Sequence, residues 1–316
     1  MIQWHILIID AFPAQLIKNL KLSGNTITYI PDCSGPEAIE GLKSADILLI
    51  NSKINLNATT MAGNNRLKLI CRAGVGLDHF DLPFLSKLGI KVCFTPGANA
   101  VSVAEHAIGM LVGLLHRIPL ANQQVKKRIW SREPNRGIEL MGKTIGIIGY
   151  GNTGSSFAKI LRGFQVQILA VDKYNSGFGN DWVKECGWDE IADQADILSL
   201  HVPLTLETKY LVNESLISRF RKNFWLLNTS RGEIVKTADL LPALKSGKIC
   251  GAGLDVLENE KINQLSEIQQ REFDELIEMD NVILSPHIAG WSFESRQRIS
   301  NEIEAQILAF QNSYSE

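Results

Sequence analysis

The sequence predicts an α/β fold with two doubly wound parallel-sheet domains. Short apolar runs that are typical of buried strands alternate with segments of helical periodicity along the whole chain. The length of 316 residues suits two domains that each bury a core of their own. In addition, a helix that leads into a strand at residues 37–48 is echoed at residues 189–198, which indicates two similarly wound halves.

The predicted strands form two groups. They lie at residues 6–9, 26–30, 47–50, 67–71 and 91–94 in the first half, and at residues 144–148, 167–171, 197–201, 225–228, 251–254 and 282–285 in the second. Residues 101–128 form the longest helical pattern, and Pro119 predicts a kink or break in it. A last helix over residues 292–310 could return the chain to the first domain. We therefore predict a discontinuous first domain, residues 1–98 plus 289–316, and a second domain of residues 99–288.

The composition argues against several classes of partner and compartment. A net charge of −2 shows no bias toward nucleic acid or an anionic membrane. No apolar run is long enough to span a bilayer, and the first ten residues lack the basic head and cleavage site of a signal peptide. The five cysteines are scattered and form no Cys-x-x-Cys pair. This pattern predicts reduced thiols in the cytoplasm and no metal site.

A glycine-rich loop follows the predicted strand at residues 144–148. Gly149 would permit a tight turn, Gly151 would let the main chain approach a pyrophosphate, and Gly154 would let the next helix pack closely on the sheet. Asn152 and Thr153 open that helix, whose free N–H groups would point at the phosphates. The loop therefore predicts a dinucleotide-binding unit.

An acidic residue, Asp172, ends the next apolar run, at the distance from the glycines that this unit requires. Its carboxylate would accept hydrogen bonds from the ribose hydroxyls and repel a 2′-phosphate. We therefore predict NAD as the cofactor rather than NADP. The neighbouring Lys173 opposes this charge argument.

Three further motifs begin at the carboxyl ends of predicted strands. They occupy residues 227–233, 251–260 and 284–290. Ligands bind at this edge of an open parallel sheet. We therefore expect Arg231, Asp255, Glu260 and His287 to converge on one crevice.

With these motifs, and with further ones at residues 72–78, 95–106 and 200–205, the chain resembles the D-isomer-specific 2-hydroxyacid dehydrogenases over nearly its whole length. The resemblance implies a Rossmann NAD-binding domain and a flavodoxin-like substrate-binding domain. It places the family's catalytic trio on Arg231, Glu260 and His287. It assigns Asp255 to a position beside the nicotinamide. The remaining expected cofactor contacts are Thr229, Ser230 and Gly290.

The chemistry of the trio fits these positions. Oxidation of a secondary alcohol requires removal of the hydroxyl proton, and imidazole is the side chain that exchanges a proton near neutral pH. Glu260 would hold the ring of His287 in place. Arg231 carries a planar guanidinium that can grip a substrate carboxylate. Taken alone, an arginine or glutamate in a loop, such as Arg231 or Glu260, is more often a solvated surface residue.

The substrate is expected to bind the first domain. The loop at residues 73–76 offers main-chain N–H groups and matches the family's carboxylate-binding loop, so Val75 and Gly76 are expected contacts. Asn99 matches a family position near both substrate and cofactor. Arg72 matches an arginine of the 3-phosphoglycerate dehydrogenases, where it helps to hold the phosphorylated substrate, and it favours D-3-phosphoglycerate as the substrate. Those enzymes often carry a second arginine at the position of Asn51; it is absent here, and Lys53 is the nearby basic residue that would have to compensate.

Two other functions fit the same motifs. A hydroxypyruvate or glyoxylate reductase is the close alternative. An NAD-sensing corepressor that binds protein partners is an alternative of another class. A proline commonly follows the catalytic glutamate in the family, but Lys261 follows Glu260 here, and a polar, helical-looking stretch at residues 263–279 comes next. The path of this loop is therefore left open by the sequence.

The helical segment at residues 98–133 carries more apolar residues than one domain crossover needs, among them Ile118, Leu120, Ile129 and Trp130. Large exposed apolar patches usually mark association sites. We therefore predict a two-fold symmetric homodimer.

Overall fold

The computed structural model describes residues 3–314. The chain divides into two compact units. The first contains the described residues up to Asn99 together with those from Trp291 onwards, and the second is Ala100–Gly290. The boundaries predicted from the sequence lie after residues 98 and 288, one and two residues earlier.

The strands and helices are numbered along the whole chain. The strands are β1 (His5–Ile8), β2 (Thr26–Tyr29), β3 (Ile47–Ile50), β4 (Leu69–Arg72), β5 (Lys91–Cys93), β6 (Thr144–Ile148), β7 (Gln167–Val171), β8 (Lys184–Glu185), β9 (Ile197–Leu200), β10 (Phe224–Asn228), β11 (Ile249–Leu254) and β12 (Val282–Leu284). The helices are α1 (Ala14–Leu22), α2 (Gly35–Leu42), α3 (Leu82–Lys87), α4 (Ala100–Leu115), α5 (Ile118–Lys126), α6 (Asn152–Leu161), α7 (Trp188–Gln194), α8 (Glu214–Arg219), α9 (Thr237–Ser246), α10 (Glu267–Ile277) and α11 (Phe293–Asn312).

The first unit has a five-stranded parallel sheet in the order β2-β1-β3-β4-β5, which is the flavodoxin-like order. Successive residues of β1 are buried on opposite faces, as the two-residue period of a strand requires. On one face, Ile303, Ile307 and Phe310 of α11 pack against Trp4 and Ile6. The last helix therefore returns the chain to the first unit.

The second unit has a seven-stranded parallel sheet in the order β12-β11-β10-β9-β6-β7-β8. Renumbered from β6, this is the Rossmann order 3-2-1-4-5-6 with one more strand. The predicted fold class, two doubly wound parallel-sheet domains, is confirmed. The strand that sequence patterns did not reveal is β8, which has two exposed, charged residues and therefore no apolar signal.

The predicted interruption of the long helical pattern lies two to three residues before Pro119. Helices α4 and α5 are bent by 64° at their break, and Arg117 between them has a left-handed φ of 52°. Pro119 itself lies in the first turn of α5. Because the first turn does not need the N–H that proline lacks, the break falls before the proline rather than at it.

The polar stretch after Glu260 contains α10, which begins with a capping box between Ser266 and Gln269. No single helix within residues 3–314 is long and apolar enough to cross a membrane. Among these residues, only the bent pair α4 and α5, taken as one segment, has the necessary length and composition. The same described residues contain no group of three or more His, Cys, Asp or Glu side chains that could hold a metal ion.

Candidate active site

The strands of the second unit end in register along one edge of the sheet. Pairing aligns the last residues of β7, β6, β9, β10, β11 and β12 in a single row. The residues that follow these strands are Asp172, Gly149, His201, Thr229, Asp255 and Ser285. The predicted cofactor-binding and catalytic loops of this unit therefore leave the sheet side by side.

The glycine loop has the geometry that its spacing predicts. Gly149 has a φ of +88°, and a Cβ at this position would lie 2.4 Å from the carbonyl oxygen of His201. No other residue type fits there without a shift of the backbone. Asn152 begins α6, and its N-cap residue, Gly151, provides no side-chain hydrogen bond. The first N–H groups of α6 are therefore not capped by that residue and are suited to bind an anion.

Asp172 lies at the other side of this loop and is anchored by backbone groups. Its Oδ2 accepts a hydrogen bond from the Tyr150 N–H at 2.7 Å, and its Oδ1 accepts from the N–H groups of Tyr174 and Asn175, both at 2.9 Å. Burial opposes the charged form, but these hydrogen bonds outweigh it and lower the pKa of the Asp172 carboxyl. The carboxylate is thus a fixed negative charge beside the glycine loop.

His287 and Glu260 form a hydrogen-bonded pair. The distance from His287 Nδ1 to Glu260 Oε2 is 2.9 Å, and the two side chains are 46% and 45% exposed. When the carboxylate is ionised, Nδ1 carries the proton and donates it to this bond. The other ring nitrogen, Nε2, has no hydrogen-bond partner among residues 3–314 and can meet a ligand.

His287 itself has a left-handed φ of 55°, which is uncommon for a residue with a side chain. The turn is held by Asp255, whose side chain is 1% exposed. Asp255 Oδ1 accepts from the Ile288 N–H and Oδ2 accepts from the Ala289 N–H, both at 2.8 Å. The N–H of His287 also donates to the Asp255 carbonyl oxygen at 2.8 Å. Asp255 therefore fixes the backbone on which His287 stands.

Two polar groups missed by the sequence analysis complete this network. The Ser285 hydroxyl donates to Asp255 Oδ1 at 2.5 Å, and His106 Nε2 lies 2.9 Å from that hydroxyl oxygen. His106 lies on α4. Its contact joins residues 179 positions apart, so only the packing of α4 on the sheet reveals it. The serine of the Ser-Pro-His motif was the available signal for Ser285.

Arg231 follows β10, and its Nη1 donates to the Ser230 carbonyl oxygen at 2.8 Å. The next residue, Gly232, packs against the loop that carries Glu260: a Cβ on Gly232 would lie 1.9 Å from the carbonyl carbon of Leu257. This close approach requires glycine. It brings the backbone beside Arg231 against the loop that leads to Glu260.

The predicted substrate residues lie on the first unit. Arg72 is the last residue of β4 and its Nη1 donates to the Ala73 carbonyl oxygen at 2.5 Å. Lys53 follows the neighbouring strand β3, and its Nζ donates to the Pro31 carbonyl oxygen. Val75 is 42% exposed in the loop after Arg72, and Gly76 follows it. The carboxyl edge of this sheet thus carries two basic side chains next to a glycine-rich loop.

Comparison with known proteins identifies the family. Residues 108–289 match the family model of the D-isomer specific 2-hydroxyacid dehydrogenase, NAD binding domain. This chain belongs to that family. The matched region contains the whole row of strand ends in the second unit, together with Arg231, Glu260 and His287.

Relatives of this dehydrogenase carry different substrate names. A hydroxypyruvate reductase from Thermotoga maritima is 34% identical over 86% of this chain and 86% of that protein. A D-3-phosphoglycerate dehydrogenase from Bacillus subtilis is 33% identical over 87% of this chain and 51% of that protein. The crystal structure of D-lactate dehydrogenase from Aquifex aeolicus, complexed with NAD and lactic acid, has a TM-score of 0.84, 30% identity, and coverage of 98% of this chain and 96% of that one.

The residues of this dehydrogenase fit NAD. The side-chain oxygen of Thr229, in the middle of the row, is buried and has no hydrogen-bond partner within the described part of the chain. Such an atom is unfavourable unless a ligand or water satisfies it. The oxygen of Asn99, in the first unit, is likewise buried without a partner. In contrast, the hydroxyl of Ser230, another predicted cofactor contact, already donates to the Leu200 carbonyl oxygen at 2.7 Å. Gly290, the last predicted cofactor contact along the chain, is the final residue of the second unit.

Proposed function

We propose that this chain catalyses hydride transfer between C2 of a D-2-hydroxy acid and NAD, with D-3-phosphoglycerate as its substrate and His287 as the acid/base. The observation that carries the proposal is the His287–Glu260 pair, 2.9 Å apart, in the same unit and beyond the same sheet edge as the glycine loop. A solvated surface histidine would not need a neighbouring turn fixed by a buried carboxylate. Both the pair and that anchor are present here.

The proposed mechanism assigns one task to each side chain. His287 Nε2 takes the proton of the substrate hydroxyl, because Nδ1 is held by Glu260. NAD, held by the glycine loop and Asp172, would supply the acceptor for the hydride of C2. Glu260 stabilises the imidazolium that forms, and Arg231 binds the carboxylate or polarises the developing carbonyl oxygen. In the reverse direction, His287 returns the proton to the carbonyl oxygen.

Asp172 supports NAD over NADP. A carboxylate offers about four acceptor positions, and three are filled by the backbone N–H groups of Tyr150, Tyr174 and Asn175. The Asn175 side chain also donates to this carboxylate, so a ribose hydroxyl would share the remaining acceptor capacity with it or replace it. A 2′-phosphate brought to the same place would meet a fixed negative charge.

Arg72 supports the choice of D-3-phosphoglycerate. It lies at the carboxyl end of β4, directly before the glycine-rich loop whose N–H groups suit a carboxylate. A guanidinium at that place can bind a phosphate or carboxylate in a bidentate manner. Hydroxypyruvate or glyoxylate reduction is the second candidate. It is favoured by the reductase relative, which aligns over 86% of its own length against 51% for the phosphoglycerate dehydrogenase.

We further propose a homodimer that works in the cytoplasm. Exposed apolar residues cluster in the segment after α4, where Ile118 is 53% and Trp130 81% exposed. Such a patch is typical of an association surface. All five cysteines are free thiols in the structure, which suits a reducing compartment. A dimeric mass in solution at micromolar concentration is expected, and a monomeric mass would overturn this part.

The experiment that tests the function is a substrate panel. D-3-phosphoglycerate, hydroxypyruvate, glyoxylate and pyruvate are each assayed by NADH absorbance in the appropriate direction. We expect the highest kcat/KM with the phosphorylated acid. Faster turnover of hydroxypyruvate or glyoxylate would select the second candidate. NADH binding without turnover of any acid would contradict the enzymatic role and favour an NAD-sensing binding protein of the corepressor kind.

A further inference from the structure

An ion pair lies next to Asp172 in the chain. Lys173 Nζ is 2.6 Å from Glu207 Oε1, and the Tyr174 hydroxyl donates to the other oxygen, Glu207 Oε2, at 3.0 Å. The Lys173 ammonium also lies 5.7 Å from the centre of the Tyr174 ring. One glutamate, 33 and 34 positions further along the chain, thus holds both residues that follow Asp172.

The charges of this cluster have opposite consequences for a 2′-phosphate. Asp172 repels it, and an ammonium that follows Asp172 would attract it. Glu207 forms an ion pair with the ammonium of Lys173 and adds a second negative charge. Its backbone position is independent of Lys173, because the turn that carries it is closed by Thr205 and Thr208, whose side chains bond each other at 3.1 Å.

We propose that Glu207 is a specificity-determining residue that enforces NAD over NADP by holding Lys173 away from the 2′-phosphate position. The inference rests on the cofactor preference in the proposed function and is independent of the substrate. Without Glu207, the positive charge of Lys173 would offset the repulsion between Asp172 and a 2′-phosphate and would weaken the preference for NAD over NADP. With Glu207 paired to Lys173, the net charge around the ribose is negative.

The expected effect is moderate because the pair is exposed. The Lys173 and Glu207 side chains are 64% and 54% accessible to solvent, so water and salt screen their charges. Loss of one exposed charge and release of another should change NADPH affinity by about three- to ten-fold at low ionic strength. The change should shrink as salt is added.

The test is a binding measurement on the whole protein. Dissociation constants for NADH, NADPH and the fragment adenosine 2′,5′-bisphosphate are measured by calorimetry for the natural protein and for Glu207→Gln. The amide keeps the size of the side chain and removes its charge. We expect NADPH and the fragment to bind Glu207→Gln about three- to ten-fold more tightly, and NADH to bind within about two-fold of the natural protein.

A matched control separates a local effect from a change of net charge. Asp189→Asn breaks an exposed ion pair of the same length, 2.6 Å to Arg219, in the same unit. This variant should leave all three dissociation constants unchanged. An equal gain in NADPH affinity for Asp189→Asn would overturn the proposal, as would an unchanged NADPH affinity for Glu207→Gln.

A double variant tests the role of the lysine. In Lys173→Gln/Glu207→Gln, the gain in NADPH affinity should disappear, since no ammonium remains to be released. Retention of the full gain would contradict the holding of Lys173. Because these measurements need no turnover, an inactive substrate panel would leave their result interpretable.

Discussion

The two units place polar side chains at the same edge of their sheets but hold them in different ways. In the second unit, carboxylates accept backbone N–H groups: Asp172 accepts three and Asp255 accepts two. In the first unit, the basic side chains of Lys53 and Arg72 donate to carbonyl oxygens near them. At the edge of the second sheet, carboxylates thus hold the backbone of the loops in place. The first edge also has one carboxylate anchor, since Asp10 Oδ2 accepts from the Asn51 N–H at 2.6 Å, but it differs in carrying Lys53 and Arg72 beside the glycine-rich loop.

This difference predicts different consequences of substitution. Charge-assisted hydrogen bonds to buried carboxylates are strong, and their loss leaves backbone groups unsatisfied. Changes at the buried Asp255 should therefore reduce turnover or stability. Asp172 is half-buried and two of its three backbone bonds are exposed, so water can replace them and the cost should be small. A cation that donates to a neutral carbonyl oxygen can exchange that partner for an anionic substrate at smaller cost. Changes in the first edge should alter KM and substrate choice.

The largest effect is expected for His287→Ala. Removal of a positioned acid/base group lowers kcat by on the order of 10²–10⁴-fold, whereas the dissociation constant of NADH should change little. Stopped-flow and steady-state NADH absorbance measure the first, and fluorescence titration measures the second. His79→Ala, which removes an exposed histidine of the first unit, is the control. Comparable turnover by His287→Ala would show that another group moves the proton.

Asp255→Asn should have the second-largest effect. The amide places an N–H₂ group or a neutral oxygen opposite the N–H groups of Ile288 and Ala289, so one buried bond is lost and another weakened. We expect the free energy of unfolding to fall by on the order of 2–3 kcal/mol, with a lower kcat because the turn that carries His287 loosens. Denaturant titration measures the first quantity. Asp193→Asn, an exposed acid of the same unit, should be nearly neutral. Equal stability of both variants would mean that Asp255 does not hold the turn.

His201, which follows β9 in the row of strand ends of the second unit, makes the free energy of unfolding sensitive to acid. Burial lowers the pKa of its imidazole to about 3, so between about pH 6.5 and pH 3 the unfolded chain binds a proton that the folded protein does not. The free energy of unfolding should therefore fall as the pH drops through this window, by at most about 1.4 kcal/mol per pH unit from this group. At higher pH both states are neutral and the effect vanishes.

The measurement is denaturant unfolding at pH 7 and pH 5 for the natural protein and His201→Gln. The variant should lose less stability between the two pH values, by roughly 1–2 kcal/mol. His79→Gln, at an exposed site, should behave like the natural protein. The same acid sensitivity in His201→Gln would assign the titration to other groups.

A change in the first edge should act on substrate binding. Arg72→Ala should raise KM for D-3-phosphoglycerate by about 10- to 100-fold, as expected for loss of a charge-assisted contact to an anion. The kcat should change much less, because Arg231, Glu260 and His287 are intact. Arg66→Ala, which removes an exposed arginine paired with Asp46, is the control. A fall in kcat at unchanged KM would place Arg72 in the chemistry and end the distinction between the two edges.

The smallest effect is expected for Asp172→Ala. Without its carboxylate, repulsion of a 2′-phosphate is relieved and the ratio of kcat/KM for NADH to that for NADPH should fall by about ten-fold or less. Glu207 continues to hold Lys173 in this variant. If the natural protein already uses NADPH better than NADH, the charge argument for Asp172 fails.

The sequence carried most of the fold because the signals were local. Apolar runs defined the strands to within a few residues, and polar or glycine residues at their ends defined the row of loops. The His287–Glu260 pair was predictable because each residue belongs to a motif at a strand end. Three features were missed or misplaced. The break lies at Arg117 rather than at Pro119, because proline fits the first turn of α5. Strand β8 has no apolar residue to signal it. His106 reaches Ser285 only through the packing of α4 in the folded unit.

The same limit applies to side-chain direction. The position of Asp255 after β11 predicted that it lies at the site, but only the structure shows that its oxygens hold the turn of His287. Likewise, the sequence predicted NAD from Asp172 but did not show what holds the opposing charge of Lys173. Its ion pair with Glu207 joins two separate loops of the second unit.

Hydride transfer from a D-2-hydroxy acid to NAD can be measured by incubating the protein with NAD and, separately, the D and L enantiomers of one hydroxy acid, at equal concentrations, and following NADH absorbance. We expect NADH formation from the D enantiomer, its loss in His287→Ala, and none above background from the L enantiomer. Equal rates from both enantiomers, or no NADH from either across the substrate panel, would contradict this activity.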